Sequence, residues 1–338
     1  MKKIGVFVGE HGNWSFFREI FDSINLNYTT DVFKEKVYNT PLLYGRLNSW
    51  AFHNGIRKIM QSNELCFFEW ASELLEPASH MNKYCPIITR LHSYEVFFWA
   101  PKINWDRVDK IILVSNAMRG EFVKIYPDQA NKTVVVNNGV ALNKFSYLPR
   151  ESQELNFGML CSIHPRKGVY EIILMMHKLI DAGYKPKLHI GGGRVHGPDL
   201  DEYYVAIERL VEKLNLQNHV NLYGQVEDTA KWLQSIDIYI SNSYWEGQQV
   251  ALLEALASGC FCLSHWWGGV EEVLPKDNIY ITADDLFSKI VTFDSLSKDK
   301  KESLRQEMRD IAEKKFDIQE TEKKILTIID EVGSNKGY

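Results

Sequence analysis

Two glutamates, Glu246 and Glu254, stand where one apolar run ends and the next begins. The order is Ile236-Asp-Ile-Tyr-Ile-Ser241, then Asn-Ser-Tyr-Trp-Glu246-Gly247-Gln248-Gln249-Val250-Ala-Leu-Leu-Glu254. A strand ending at Ser241, a polar loop and a helix opening near Gln248 would turn backbone N–H groups toward an anion, with the helix dipole helping. Glu246 would lie in the loop and Glu254 two turns into the helix. Carboxylates so placed do not share a proton; they can hold two hydroxylated parts of one elongated ligand on either side of a phosphate. A helix cap at Glu246 and a structural hydrogen bond at Glu254 is the plain alternative. For the spacing alone that alternative is favoured.

Other segments point the same way. His164-Pro165-Arg166-Lys167-Gly168 follows the apolar run Leu155–Leu160 and precedes a helical pattern. Adjacent Arg166 and Lys167 suit a diphosphate as a fork and a point charge, although an isolated Arg-Lys pair is also a solvated turn. Gly191-Gly192-Gly193 after the next strand permits close backbone approach. Gly9-Glu10-His11-Gly12-Asn13 ends the first strand and precedes a helix, a second loop that could meet an anion or a sugar. His92, in Ile87-Ile-Thr-Arg-Leu-His92, falls where a strand should end, and the functional and structural readings there are balanced.

The elements that position these residues are legible as alternation. Strands are expected at Ile4–Val8, Leu65–Phe68, Ile87–Leu91, Ile111–Ser115 and Thr133–Val136. A second set is expected at Leu155–Leu160, Lys187–Ile190, Val220–Tyr223, Ile236–Ser241, Gly259–Ser264 and Ile279–Thr282. Helical patterns lie between them, at Val169–Asp181, Asp201–Asn215, Val250–Ser258 and Asp284–Val291. Continuous Val/Ile/Leu runs separated by helices require a parallel sheet covered on both faces. Asn137–Gln153, with Asn137-Asn138-Gly139 and Pro149, reads as a linker. The charged, helix-periodic tail from Lys298 to Glu331 has no strand partner and should pack back on the rest. The expectation is an α/β protein of two Rossmann-like domains with a cleft between them, where ligands meet strand carboxyl ends.

Length and charge bound the function. The 338 residues favour two domains, and 39 basic against 44 acidic residues, a net charge of −5, argue against a nucleic-acid binder. Residues 1–149 carry 17 basic and 14 acidic residues, +3; the remainder carries 22 and 30, −8. Aromatics are skewed as well, 24 of 42 falling in that first stretch. Met1-Lys2-Lys3 imitates a secretory leader, but the apolar stretch behind it is short and ends at Glu10, so a buried strand is expected. The longest apolar run, Leu252–Trp267, is broken by Glu254 and His265 and does not suit a membrane span. Cys66, Cys85, Cys161, Cys260 and Cys262 include no C-x2-C pair, so buried reduced thiols are expected. A cytoplasmic protein follows, one that could touch the inner face of a membrane.

Taken in order, Asp109–Ser115, Val136-Asn-Asn-Gly139-Val140 with Phe145, Pro165–Gly168, Gly191–Gly193, Gly224-Gln-Val226, Glu246-x7-Glu254 with Ala-Leu-Ala-Ser-Gly, and Gly268-Gly-Val-Glu271-Glu-Val form a pattern. The chain resembles the family-4 retaining glycosyltransferases of the GT-B fold over nearly all of Leu155–Leu274, and more loosely over the first domain. The resemblance implies an N-terminal acceptor domain at 1–149 and a nucleotide-sugar domain at 150–315. A helix at 316–338 would return to the first domain. It further implies that Glu254 accepts from ribose hydroxyls and that Glu246 holds a donor-sugar hydroxyl. The backbone of Gly247, Gln248, Gln249 and Val250 would contact sugar and phosphate. Lys167 with Arg166 would neutralise the diphosphate, and Gly191 and Val226 would border the base. His92 would reach the donor sugar, and the Gly12-Asn13 loop would approach phosphate or acceptor. No metal and no cofactor are implied; the substrate is a UDP- or GDP-linked sugar, and fixed cations would stabilise the leaving phosphate. Polysaccharide assembly is the implied setting.

Departures from the family pattern bear on specificity. The Arg usual before the loop Lys is absent at Cys161-Ser162, and Gln248-Gln249 replaces an aromatic-Gly pair. Trp266-Trp267 could wall the donor pocket or pack beneath it. In the first domain Trp14-Ser-Phe16-Phe17, Trp50-Ala-Phe52, Phe97-Phe98-Trp99 and Trp105 exceed the needs of one small core, and Arg46–Lys58 suits a surface helix at lipid headgroups. A glycan or lipid-linked glycan acceptor is expected. The rivals are a GT-B nucleotide-sugar epimerase or hydrolase, and a non-catalytic nucleotide-sugar-binding subunit.

Overall fold

The computed structural model describes residues 2–9, 12–15, 17–39, 44–149 and 155–334. The chain divides into two compact units. Unit 1 is Met1–Asn138 with Ile318–Tyr338, and unit 2 is Gly139–Asp317.

Unit 1 runs β1 (Lys3–Val8), α1 (Arg18–Asn27), β2 (Thr29–Val32), α2 (Tyr44–Ser62), β3 (Leu65–Glu69), α3 (Leu75–His80), β4 (Ile87–Leu91), α4 (Glu95–Phe98), β5 (Lys110–Leu113), α5 (Asn116–Ile125) and β6 (Thr133–Val135). Its parallel sheet has the order β2-β1-β3-β4-β5-β6. β3 and β4 are buried along their whole length, as apolar runs covered on both faces must be. β2 escapes sequence reading because Thr-Thr-Asp-Val is a short, polar, half-exposed edge strand.

Unit 2 runs β7 (Leu155–Leu160), α6 (Val169–Asp181), β8 (Pro186–Gly191), α7 (Pro198–Lys213), β9 (Val220–Gly224), α8 (Thr229–Leu233), β10 (Ile238–Ser241), α9 (Val250–Ala257), β11 (Phe261–His265), β12 (Ile279–Tyr280), α10 (Ala283–Asp294) and α11 (Lys298–Lys315). Its sheet, also parallel, has the order β12-β11-β10-β7-β8-β9. In both sheets the chain order reverses once, between β1 and β3 and between β7 and β10. Ligands of open α/β sheets bind at such points. α6 buries Val169, Ile172, Ile173, Met176 and Leu179 on one face, at the spacing an amphipathic helix requires. α9 is apolar almost all round, burying Leu252, Leu253, Ala255, Leu256 and Ala257, and so sits inside the unit's core.

The tail is two helices. α11 packs on α9 and β11, and its Arg305 reaches the buried Asp237 carboxylate at 2.8 Å. α12 (Ile318–Ser334) returns to unit 1, where Ile325, Ile328 and Ile329 join Ile4, Ile20 and Ile24 in the core. The Tyr28 hydroxyl donates to the Leu326 carbonyl at 3.4 Å, and burial with Asp330 nearby pushes that phenol up to about 12. The stretch read as a linker, Asn137–Gln153, is not one as far as 149. Val140 and Phe145 are buried in unit 2, and the Val140 N–H donates to the Phe316 carbonyl at 2.7 Å. The division therefore falls at Asn138 rather than at 149; residues 150–154 lie outside the described ones. Four cysteines are buried thiols and Cys161 is half-buried; none is in a disulfide.

Candidate functional site

The loop after β7 is built as a tight turn. His164 accepts the Arg166 N–H at 3.1 Å through Nδ1, Pro165–Lys167 forms one 3-10 turn, and Gly168 starts α6 at φ +59°. A side chain at Gly168 would be strained by that angle and would meet Asn242, whose amide donates to the Gly168 carbonyl at 2.8 Å. This interlock joins the loop after β7 to the loop after β10, across the point where strand order reverses.

That junction brings four of the expected residues together. Lys167 is buried and ion-pairs with Glu246, also buried. The Arg166 guanidinium donates to the Trp245 carbonyl at 2.9 Å and lies 3.8 Å from the second Glu246 oxygen. Gln249 occupies the position before α9, and its side chain does not cap the helix. Gln248 and Gln249 are buried, as is Gly247, while Val250 is half-buried. Burial and the two neighbouring cations push His164 down, so its imidazole stays neutral beside them.

Three buried acceptors at this junction, Ser241 Oγ, Ser243 Oγ and Gln249 Oε1, meet no hydrogen-bond partner among the described residues. They border a packing gap with Lys167, Asn242 and Cys161 that is too small to hold a water; burial pushes the Cys161 thiol up to about 11. Buried polar atoms without a partner cost free energy. The two serines were missed in the sequence; their signal was hydroxyls at the carboxyl end of an otherwise apolar strand.

The remaining expected residues of unit 2 lie around this junction in the chain. Glu254 sits half-buried in the second turn of α9, and its charge is one of the causes raising the buried Tyr239 phenol. Gly191 and Val226 are adjacent: a Cβ on Gly191 would come within 2.7 Å of Val226 Cγ2 and 3.6 Å of the Trp232 ring. Trp266 and Trp267 part company. Trp267 is wholly buried and donates to Ser264 Oγ at 3.2 Å, whereas Trp266 is 50% exposed and donates to Glu271 at 2.8 Å. Trp267 is core; only Trp266 is free to wall a pocket.

In unit 1, His92 follows β4 as expected. Gly12 is exposed at φ +79°, and Asn13 accepts the Ser15 N–H on its side chain at 3.0 Å. Glu10 and His11 of the same loop, and Phe16, lie outside the described residues. Phe17 and Trp105 are core, while Trp50, Phe97 and Phe98 are more than half exposed. No group of three or more His, Cys, Asp or Glu side chains among the described residues is placed to hold a metal ion. No helix among them is long and apolar enough to cross a membrane.

Residues 154–293 match the family model of the glycosyl transferases group 1. The chain is 24% identical over 182 residues to protein CapJ of Staphylococcus aureus, covering 52% of this chain and 44% of CapJ. It is 25% identical over 179 residues to the phosphatidylinositol N-acetylglucosaminyltransferase gpi3 subunit of Schizosaccharomyces pombe, covering 52% of this chain and 38% of that protein. The matches thus span less than half the length of these curated relatives. Among solved structures, Anabaena Alr3699/HepE in complex with UDP and glucose superposes with a TM-score of 0.80 at 16% identity, covering 98% of this chain and all of that one. The two six-stranded parallel sheets have the GT-B fold, and residues 154–293 resemble the group 1 glycosyl transferases in sequence.

Proposed function

We propose that the chain is a glycosyltransferase that moves a sugar from a nucleoside-diphosphate donor to a glycan or lipid-linked glycan, with retention of configuration and without a metal. The observation that carries this reading is the junction of Arg166, Lys167, Glu246 and the start of α9, with three buried acceptors beside it. Lys167 and Arg166 would take the diphosphate, and the amides of Gly247, Gln248, Gln249 and Val250 would complete its cradle. Glu246 would accept from a donor-sugar hydroxyl and Glu254 from the ribose. Gly191 and Val226 would flank the base. The carboxamides of Gln248 and Gln249 would set donor choice through sugar hydroxyls. His92 takes part in the same transfer.

In the reaction the bond from the anomeric carbon to the phosphate oxygen breaks while the acceptor oxygen bonds to that carbon on the same face. The acceptor proton passes to the departing phosphate oxygen. The fixed cations stabilise the charge that gathers there, the role preorganised electrostatics plays in group transfer. The HepE structure with UDP and glucose supports trying UDP-glucose first, and the name of the Schizosaccharomyces pombe relative supports a lipid-linked acceptor. We place the protein in the cytoplasm, meeting the membrane through the outer face of α2, where Arg46, Trp50, Arg57 and Lys58 are exposed.

The test is a panel of UDP- and GDP-sugars with glycan and polyprenyl-linked acceptors, run with EDTA and read by NMR for the anomeric configuration of the product. Donor loss without acceptor would favour the hydrolase or epimerase reading. Co-sedimentation with anionic vesicles, compared between wild type and an R57A/K58A variant, tests the membrane contact; wild type that stays in the supernatant refutes it.

A further inference from the structure

Behind His92, unit 1 holds a buried pair, Glu69 and Arg90, to which the proposed reaction gives no part. Glu69 ends β3 and Arg90 lies near the end of β4, side by side in the register of the two strands. Both are wholly buried. The Arg90 guanidinium meets Glu69 Oε1 at 3.0 Å and also donates to the Asn138 side chain. Two residues further on, His92 brings Nε2 to that same Glu69 oxygen at 2.8 Å.

The surroundings fix the imidazole from other sides. The Glu95 carboxylate accepts the backbone N–H of His92 at 2.9 Å and of Ser93 at 2.8 Å. The Trp70 ring lies 4.2 Å from the His92 ring, centroid to centroid, and its Nε1–H donates to the Asn13 carbonyl at 3.2 Å. Trp70 achieves this at φ +74°, a region that a bulky residue occupies at a cost of ~1–3 kcal/mol.

These features are poor devices for stability. A buried ion pair is often no more stabilising than apolar residues of the same shape. Glu69 Oε2, equally buried, meets no donor among the described residues. Strain, buried charge and an unanswered acceptor all converge on one imidazole at the carboxyl ends of the central strands.

We infer that Glu69 is a positioning residue that sets the tautomer and orientation of His92. Arg90 neutralises the Glu69 charge and holds its Oε1, which can only accept; Nε2 of His92 therefore carries the proton. Neutral His92 is then the Nε2–H tautomer. The consequence for rate rests on the transferase reading, whereas the tautomer does not.

The experiment uses the full chain with 15N-labelled histidine, His92 being assigned by comparison with a His92→Gln variant. Imidazole 15N shifts are recorded above neutral pH for wild type, Glu69→Gln and the double variant E69Q/R90M, which leaves neither charge buried alone. The expected result is a protonated Nε2 in wild type and a mixed tautomer in the double variant. If the wild type transfers sugar, kcat in that variant falls by about 10–100-fold, the range for supporting groups, while donor KM stays within about twofold. An Nδ1–H tautomer in wild type, or a tautomer unchanged in the double variant, overturns the inference. A wild type that transfers no sugar refutes the function but leaves the nitrogen shifts to decide the tautomer.

Discussion

In the proposed reaction Lys167 acts as a charge near a leaving group rather than as half of an ion pair. With Glu246 it forms a buried pair, and pairs of that kind seldom repay the cost of drying both charges. Lys167→Met leaves the buried Glu246 carboxylate beside Arg166 and should lower the melting temperature. In the protein that remains folded it should lower kcat/KM for the nucleotide sugar by about 100-fold or more, the loss expected when one electrostatic group at a developing anion is removed. Steady-state transfer kinetics with a parallel thermal melt checks both halves. His164 offers a separate readout. Burial and the cations of Arg166 and Lys167 depress its pKa, so it contributes stability above its unfolded value near 6.5, lost as pH falls through the folded value. A bound diphosphate offsets those cations; His164 should therefore titrate at higher pH with UDP than without it, as followed by NMR. An unchanged midpoint would place the diphosphate elsewhere.

At the scale of elements, the loops matter through what interlocks them. Gly168→Ala should destabilise unit 2 by about 1–2 kcal/mol from its left-handed backbone alone, and more through the approach of Asn242. It should also weaken UDP binding, measured by calorimetry beside urea unfolding. Arg305→Ala strands the buried Asp237 carboxylate and should cost about 3–5 kcal/mol in the same unfolding measurement, with donor affinity retained in whatever remains folded. Strands such as Leu155–Leu160 and helices such as Val169–Asp181 were legible to the residue, because long apolar periods leave few alternatives. β2 was not, since an edge strand needs no apolar run, and the supposed linker concealed Val140 and Phe145, two apolar residues too sparse to show a period. That His92, Arg166, Lys167 and Glu246 lie in loops following strands was legible. Glu69 was not, because its significance arises only when β3 and β4 align it with Arg90, a pairing that local spacing does not encode.

For the whole molecule, the net charge of −5 says less than how the charged groups are used. In the proposed reaction the cations that act are Arg166 and Lys167, two among many in unit 2, set apart by their position at the switch between β7 and β10. The fold is similar to that of an Anabaena protein solved with UDP and glucose, while the family match covers residues 154–293, the part that holds this junction. Both support the proposal that unit 2 binds the donor, and the acceptor is left to experiment. The decisive measurement is transfer from UDP-glucose and its UDP- and GDP-linked analogues to glycan and lipid-linked acceptors. It is made on wild type, Lys167→Met and Glu254→Ala in the presence of EDTA. Acceptor-dependent product from at least one donor is expected, with the donor's anomeric configuration retained, and loss of that product in both folded variants. Turnover undiminished in both variants would refute a donor site built on Lys167 and Glu254.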